Sequence, residues 1–283
     1  MLHADAEARD HGPRRHFLRR KAGADPVPAA SSGRQPFKKL SIFFPMWNEE
    51  QYIQRAVSAA RGVCLELVES GQILDYELIV VDDASTDGTP AIADAMAAAD
   101  DHVRVVHHAR NRKLGGSLKS GFAAATGDVV LYTDADLPFE MTELVRALRV
   151  LETYEVDMVS AYRLDRTGEG PRRAVYSFFY NGLVQLVFGT RVRDINFAFK
   201  LCRRQVLDHV VLKSESSFID AELVIRAQRA GFQVLQIGVD YFPRTRGVST
   251  LSSFGVIRAM VLEMVRLRRE LKSVVPVKGP TSS

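Results

Sequence analysis

A chain of 283 residues with 46% hydrophobic and 25% charged side chains has the make-up of a soluble globular protein of one large or two small domains. Its formal net charge is +4, yet residues 1–40 carry nine Lys/Arg against four Asp/Glu, so the rest sums to about −1 and nucleic acid is not the expected partner. No stretch reaches the roughly 18 apolar residues of a membrane span, no secretion signal opens the chain, and Cys64 and Cys202 lie in no ligand or redox spacing. The expectation is a cytoplasmic protein with reduced, non-catalytic thiols.

Residues 1–37 mix Arg pairs with Pro, Ala, Ser and Gly and show no periodicity, which predicts a disordered basic arm. From Leu40 apolar strands alternate with helical segments, the pattern of an α/β protein with a mainly parallel sheet flanked by helices. Residues 40–44 read as the first strand, closed by Pro45. Asn48 and Gln51 then read as a helix cap, with Ile53, Ala56, Ala60, Val63 and Leu67 on one face. Strands follow at 77–81 and 103–106, with Thr89-Pro90 starting the helix between them. A helix over 117–125 leads to a strand from 127 to 133.

Beyond it the pattern predicts a helix at 141–152 and a strand at 156–161. An apolar segment at 174–189 contains Asn181 and Gln185 and reads as a buried or interfacial helix, not a span. A strand at 195–201, a helix at 220–230, a strand at 234–239 and a last helix over 254–272 complete the chain before a tail at 273–283. That last helix is apolar on one side and Arg-rich toward its end. Both an interfacial membrane helix and a helix docked on the core have this composition.

The chemistry begins at Asp134-Ala135-Asp136, where strand alternation points both carboxylates to one side. Two carboxylates suit a Mg²⁺-type ion that completes its shell with water and substrate phosphates. Two solvated acids at a strand-to-loop junction are the plainer alternative. Other acidic strand ends precede the pair in order: Pro45-Met46-Trp47-Asn48-Glu49-Glu50 and Asp82-Asp83-Ala84-Ser85-Thr86-Asp87-Gly88. Open α/β sheets bind ligands at such ends.

Together these stretches resemble the nucleotide-sugar half of an inverting glycosyltransferase of family 2 with the GT-A fold, over residues 40–264. The resemblance is strongest to the polyprenyl- or dolichyl-phosphate sugar synthases. It rests also on Arg110-Asn111 with Gly115-Gly116, on Ser160-Ala161-Tyr162-Arg163, on Arg193-Asp194 with Phe197 and Phe199-Lys200-Leu201, on Asp220-Ala221-Glu222-Leu223, and on Arg244, Arg246, Gly247 and Ser249. It implies a GT-A domain over 38–253, with a donor half at 38–140 and an acceptor half at 141–253.

The resemblance further implies roles. Pro45, Trp47 and Glu49 would wrap the base and ribose, Asp83 (or Asp82) would read the base, and Lys113 would add a cationic contact. Asp134 and Ala135 would meet the nucleotide sugar, and Asp134 and Asp136 would ligate Mg²⁺ or Mn²⁺ across the diphosphate. Arg163, Arg172, Arg173, Arg244 and Arg246 are candidates for the acceptor phosphate, because guanidinium forks pair with phosphate oxygens. The stretches from Arg110 and Arg193 resemble glucosyltransferases more than mannosyltransferases, which makes UDP-glucose the expected donor over GDP-mannose.

Acceptor chemistry sets the role of Asp220. A phosphate monoester has a second pKa of about 6 and is largely a dianion at neutral pH, so a polyprenyl phosphate needs no base. A soluble or lipid hydroxyl would need Asp220 as general base. The plainer alternative is an acid placed at a helix N-terminus by the macrodipole, and a non-catalytic nucleotide-binding or scaffold domain is the alternative to an enzyme. A polyprenyl phosphate acceptor would bring the protein to a membrane surface. Departures from the family pattern stand at Asn196-Phe197-Ala198 and Leu137-Pro138, and a short tail at 273–283 is expected where many relatives carry membrane-embedded ends.

Overall fold

The computed structural model describes residues 35–165, 171–242 and 254–277, with only the backbone for 171–174 and 254. The strands are β1 (Phe37–Met46), β2 (Ile73–Asp82), β3 (Val103–His107), β4 (Val129–Thr133), β5 (Met158–Arg163), β6 (Phe199–Arg203) and β7 (Val234–Val239). The helices are α1 (Ile53–Glu69), α2 (Thr89–Ala99), α3 (Lys113–Ala124), α4 (Glu143–Thr153), α5 (Pro171–Phe188), α6 (Arg204–His209), α7 (Ile219–Arg229) and α8 (Phe254–Lys272). All seven strands form one sheet in the order β3-β2-β1-β4-β6-β5-β7. Every pairing is parallel except those of β6, which runs antiparallel to both β4 and β5.

This order places the site. From β1 the chain steps outward through β2 and β3, then returns to lay β4 on the other flank of β1. The two connections leave a crevice at the carboxyl ends of β1 and β4, the topological switch point where open α/β sheets take ligands. Helices cover both faces, so the central strands are apolar on both sides. Leu40, Ile42 and Phe44 pack with Ile53, Ala56, Ala60, Val63 and Leu67 of α1 and with Leu144, Leu148 and Leu151 of α4. On the other face Phe43 and Tyr132 pack with Leu118, Leu223, Met260 and Met264 from α3, α7 and α8. A Cβ on Gly121 would stand 2.2 Å from the Phe43 ring, so α3 lies this close to β1 only because Gly121 lacks one.

Three expectations are revised, and one helix was not expected. Asn48 does not cap α1, which begins at Ile53: it takes a left-handed φ of +57° and its Oδ1 accepts the Thr86 amide at 2.8 Å. The strand expected at 195–201 begins at Phe199, because residues 194–197 turn, with Asp194 at φ +49° and the Phe197 amide on the Asp194 carbonyl at 2.9 Å. The helix expected from Ser117 starts at Lys113, so Gly115 and Gly116 are helical. Helix α6 has six residues, too few to show a helical period.

Helix α8 is docked on the core by Met260, Met264, Leu267 and Leu271, each worth about 1.5–3 kcal/mol of burial. Among the described residues no helix is long and apolar enough to cross a membrane. Burial pushes the Cys64 and Cys202 thiols up to about 12, so neither is a thiolate at neutral pH.

Candidate active site

Two loops are zipped together beside the crevice. After β1, Pro45 is half-buried and Trp47 stands 50% exposed. The Asn48 amide donates to Ser85 Oγ at 3.0 Å, the Glu49 amide to Thr89 Oγ1 at 2.9 Å and the Glu50 amide to Asp87 Oδ2 at 3.1 Å. The Gly88 amide returns a bond to Glu50 Oε2 at 2.8 Å. The indole of Trp47 is thus left as an aromatic surface on a braced backbone.

The acids at the end of β2 are both buried and each is held by a histidine from the end of β3. Asp82 accepts from the Ser85 amide at 3.0 Å and meets His107 Nδ1 at 2.9 Å, while His107 Nε2 meets Asp94 at 3.0 Å. Burial opposes ionisation of Asp82, but the hydrogen bonds from Ser85 and His107 prevail and hold its carboxyl below the usual value. The two carboxylates raise His107 in turn. Asp83 Oδ1 meets His108 Nδ1 at 2.6 Å and accepts the Arg112 amide at 2.7 Å, and His108 Nε2 meets Ser120 at 2.8 Å. Asp83 therefore organises the loop that carries Lys113, whose side chain is exposed.

Strand β4 ends at Thr133, so Asp134-Ala135-Asp136 lies in the following turn, completed by Leu137 at φ +49°. Alternation along a strand does not orient the two carboxylates. The turn does, with Ala135 buried and both acids half-buried. Beneath them lies Tyr132, 1% exposed and stacked on Phe43. Burial first, then the carboxylates of Asp220, Asp134 and Asp136, push its phenol well above the ordinary value. The Tyr132 hydroxyl thus bonds Asp220 and feels the charges of Asp134 and Asp136, more than 80 positions earlier in the chain.

Asp220, in the first turn of α7, is 1% exposed. Burial raises its carboxyl to about 6, against the opposing pull of the Lys200 charge and a hydrogen bond from Tyr132. Its Oδ1 is buried without a hydrogen-bond partner. Lys200 is fully buried because β6 places it between Tyr132 of β4 and Ser160 of β5. Its Nζ donates to the Phe197 carbonyl at 2.5 Å, and burial lowers its pKa against the carboxylates of Asp220, Asp194 and Asp134.

Arg163, at the end of β5, is engaged inside the protein. Its Nε and Nη2 form a fork on Asp194 at 2.6 and 2.5 Å, and its guanidinium lies 5.1 Å from the Tyr241 ring centroid and 5.5 Å from that of Phe197. An open grip on an acceptor phosphate is not what this geometry offers; the fork fixes the 194–197 turn beside Lys200. Arg172 and Arg173 lie in the first turn of α5, where only the backbone is described, and Arg244 and Arg246 lie outside the described residues.

Among the described residues no three or more His, Cys, Asp or Glu gather into a metal cage. Asp134 and Asp136 fit instead an ion that takes one or two carboxylates and fills its shell from a bound diphosphate. Sequence reasoning did not assign roles to Tyr132, Lys200, Asp194, His107 or His108. Lys200 belongs to the Phe199-Lys200-Leu201 stretch that carries the family resemblance, but nothing local marks a lysine as buried. A cleft at the opposite strand ends, lined by Asp128, Glu155, Asp157, Arg203, Arg204 and Gln205, is a structural clasp: Arg203 and Arg204 bond main-chain carbonyls and Asp157 bonds Gln205 and the Gln233 amide.

Residues 41–211 match the glycosyl transferase family 2 domain. The chain is 36% identical over 225 residues to glycosyltransferase AglD of Haloferax volcanii, which covers 77% of this chain and 35% of that protein, so it spans about a third of that relative. It is 29% identical over 250 residues to polyprenol monophosphomannose synthase of Mycolicibacterium smegmatis, covering 84% of this chain and 89% of the relative. It is 30% identical over 228 residues to undecaprenyl-phosphate 4-deoxy-4-formamido-L-arabinose transferase of Erwinia tasmaniensis, covering 80% and 67%. The fold is that of glucosyl-3-phosphoglycerate synthase from Mycobacterium tuberculosis, solved with Mn²⁺, UDP-glucose and phosphoglyceric acid, at a TM-score of 0.63, 20% identity and coverage of 86% of this chain and 82% of that one. With an α/β sheet of this order and acids converging at its switch point, the chain belongs to glycosyl transferase family 2 and is a glycosyltransferase of the GT-A fold.

Proposed function

We propose that this enzyme transfers a hexose with inversion from a nucleoside diphosphate sugar, UDP-glucose in preference to GDP-mannose, to a polyprenyl phosphate. The observation that carries the reading is the placement of Asp134 and Asp136 in the turn after β4, at the switch point, next to the buried Tyr132 whose hydroxyl bonds Asp220. Relatives named for polyprenol and undecaprenyl phosphate support the acceptor class, and the UDP-glucose and Mn²⁺ bound to a protein of the same fold support the donor. Asp134 and Asp136 would hold Mg²⁺ or Mn²⁺, which when bound neutralises charge on the departing nucleoside diphosphate.

In this reading Trp47 covers the base, and Asp83, braced by His108 and the Arg112 amide, reads it. The acceptor phosphate is already a dianion, so its oxygen attacks the anomeric carbon in line without giving up a proton. Arg172, Arg173, Arg244 and Arg246 are the proposed phosphate ligands, and Arg163 holds the turn beside Lys200. The outer face of α5 fits a lipid-borne substrate. Val175, Tyr176, Phe178, Phe179 and Leu186 are exposed there, while Arg258, Arg266 and Arg268 are exposed on α8. A large exposed apolar face near basic side chains is the composition of a membrane-surface contact.

A second reading keeps the donor and sends the sugar to a hydroxyl. It is favoured by the unpartnered Oδ1 of Asp220 and by a carboxyl raised to about 6, the value of a general base poised near neutrality. Incubation with a panel of nucleotide sugars, polyprenyl phosphate and Mg²⁺ or Mn²⁺, with product analysis, tests the first reading. No turnover of either UDP- or GDP-hexose sinks it. Asp220→Asn separates the two: substantial residual turnover goes with a phosphate acceptor, near-total loss with intact donor binding goes with a hydroxyl.

A further inference from the structure

Asp220 stands at the start of a helix that has no side-chain cap of its own: Phe218 occupies the N-cap position without a capping bond. What fixes that start is the segment 213–216, which two carboxylates share: Glu222 of α7 accepts the Lys213 amide at 3.0 Å and the Ser214 amide at 2.7 Å, and Glu263 of the last helix takes the rest. Glu263 of α8 accepts from Ser214 Oγ in a short contact, from the Glu215 amide at 3.0 Å, from the Ser216 amide at 3.1 Å and from Ser216 Oγ at 2.6 Å. The turn then passes directly into α7, with the Phe218 amide on Ser216 Oγ at 3.2 Å and the Ile219 amide on the Ser216 carbonyl at 3.2 Å.

The same segment also braces the donor side. The Gly115 amide donates to the Glu215 carbonyl at 3.2 Å, and Lys119 pairs with the Glu215 carboxylate. A Cβ on Gly115 would lie 2.5 Å from the Glu215 backbone, so α3 is in direct contact with the turn. Helix α3 begins at Lys113, immediately after the loop tied to Asp83. One short segment therefore sets both the loop beside the nucleotide acids and the helix that presents Asp220.

We propose that Glu263 is a positioning residue for the transfer reaction: by clamping Ser214, Glu215 and Ser216 it fixes the start of α7 and with it the Asp220 carboxylate. Glu263, on α8, lies like Asp220 beyond the 41–211 segment that matches the family domain. Four donors on one carboxylate cannot be kept by an amide, which offers a single acceptor oxygen. The inference rests on the proposed transfer for its kinetic consequence and on geometry alone for its structural one.

The test compares Glu263→Gln with Glu270→Gln in the full chain. Glu270 sits on the same helix and pairs with Lys213 and Arg226, so its loss weakens the docking of α8 and the Lys213 end of the turn while leaving the four bonds of Glu263 to Ser214, Glu215 and Ser216 in place. E263Q is expected to lower kcat severalfold, up to the loss that Asp220→Asn itself causes and no further, with a smaller rise in donor KM through the contact of the turn with α3. E270Q is expected to lower Tm while leaving kcat near wild type. Hydrogen–deuterium exchange, which needs no substrate, is expected to speed up at least about tenfold over residues 214–222 in E263Q and to stay unchanged over 129–136. Ser216→Ala, a milder change, is expected to move both readouts the same way by a smaller factor. Unchanged exchange over 214–222, or an equal loss of kcat in E270Q, overturns the clamp. If the wild-type protein turns over no donor, the transfer reading fails while the exchange result still decides whether Glu263 holds the turn.

Discussion

Replacing Asp220 by Asn changes the pH dependence of stability in a way fixed by burial. The unfolded chain releases this proton near the ordinary value of 3.8, whereas the native chain holds it to about 6. Between those values the native state binds the extra proton, so wild-type stability from this group is full below about pH 4 and is lost as pH rises through 6. The gap corresponds to about 3 kcal/mol. The asparagine side chain does not titrate. The stability of the variant relative to wild type should therefore rise by about 3 kcal/mol between about pH 4 and pH 7 and then stay level. Urea unfolding followed by circular dichroism at closely spaced pH values measures the curve. A difference that stays constant across this window would refute the claim that Asp220 carries a buried, poorly solvated charge.

Arg163→Met should destabilise the fold by about 3–5 kcal/mol in urea unfolding, because Asp194 is then left buried with its fork removed; a cost below about 1 kcal/mol would show that the pair is solvated. Gly115→Ala and Gly62→Ala form a contrasting pair. The first forces a Cβ to 2.5 Å from the Glu215 backbone and should cost about 1–3 kcal/mol, whereas the second meets nothing within 4 Å in α1 and should gain up to about 1 kcal/mol in thermal unfolding. His107 should titrate above the ordinary 6.5 in an NMR pH series, since Asp82 and Asp94 both favour its charged ring. The stability it contributes is full below pH 6.5, is lost as pH rises through the raised value, and should vanish in His107→Gln.

Much of the donor side was legible because its signals are local. Apolar runs that end in Pro45, Asp82 and Asp134 mark strands and the loops after them, and β7 and α8 fall where the period placed them. The pair Asp134 and Asp136, proposed to hold the metal, stands out in sequence by its acids, although strand alternation does not orient it, because the pair sits in a turn. Sequence makes Arg163 a candidate for the acceptor phosphate, because a guanidinium looks the same there whether its partner is a phosphate or Asp194, which lies 31 positions away.

By itself the sequence determined the alternation of strands and helices, the acidic ends and the family, since each depends on residues within a few positions of one another. Only the tertiary structure decided the rest. It inserted β6 antiparallel between β4 and β5, which carries Lys200 under Asp220, and it folded α8 back so that Glu263 reaches a turn 47–49 residues earlier. Those placements arise from strand pairing and helix docking between distant segments, and no local pattern encodes which distant charge will neutralise a buried one.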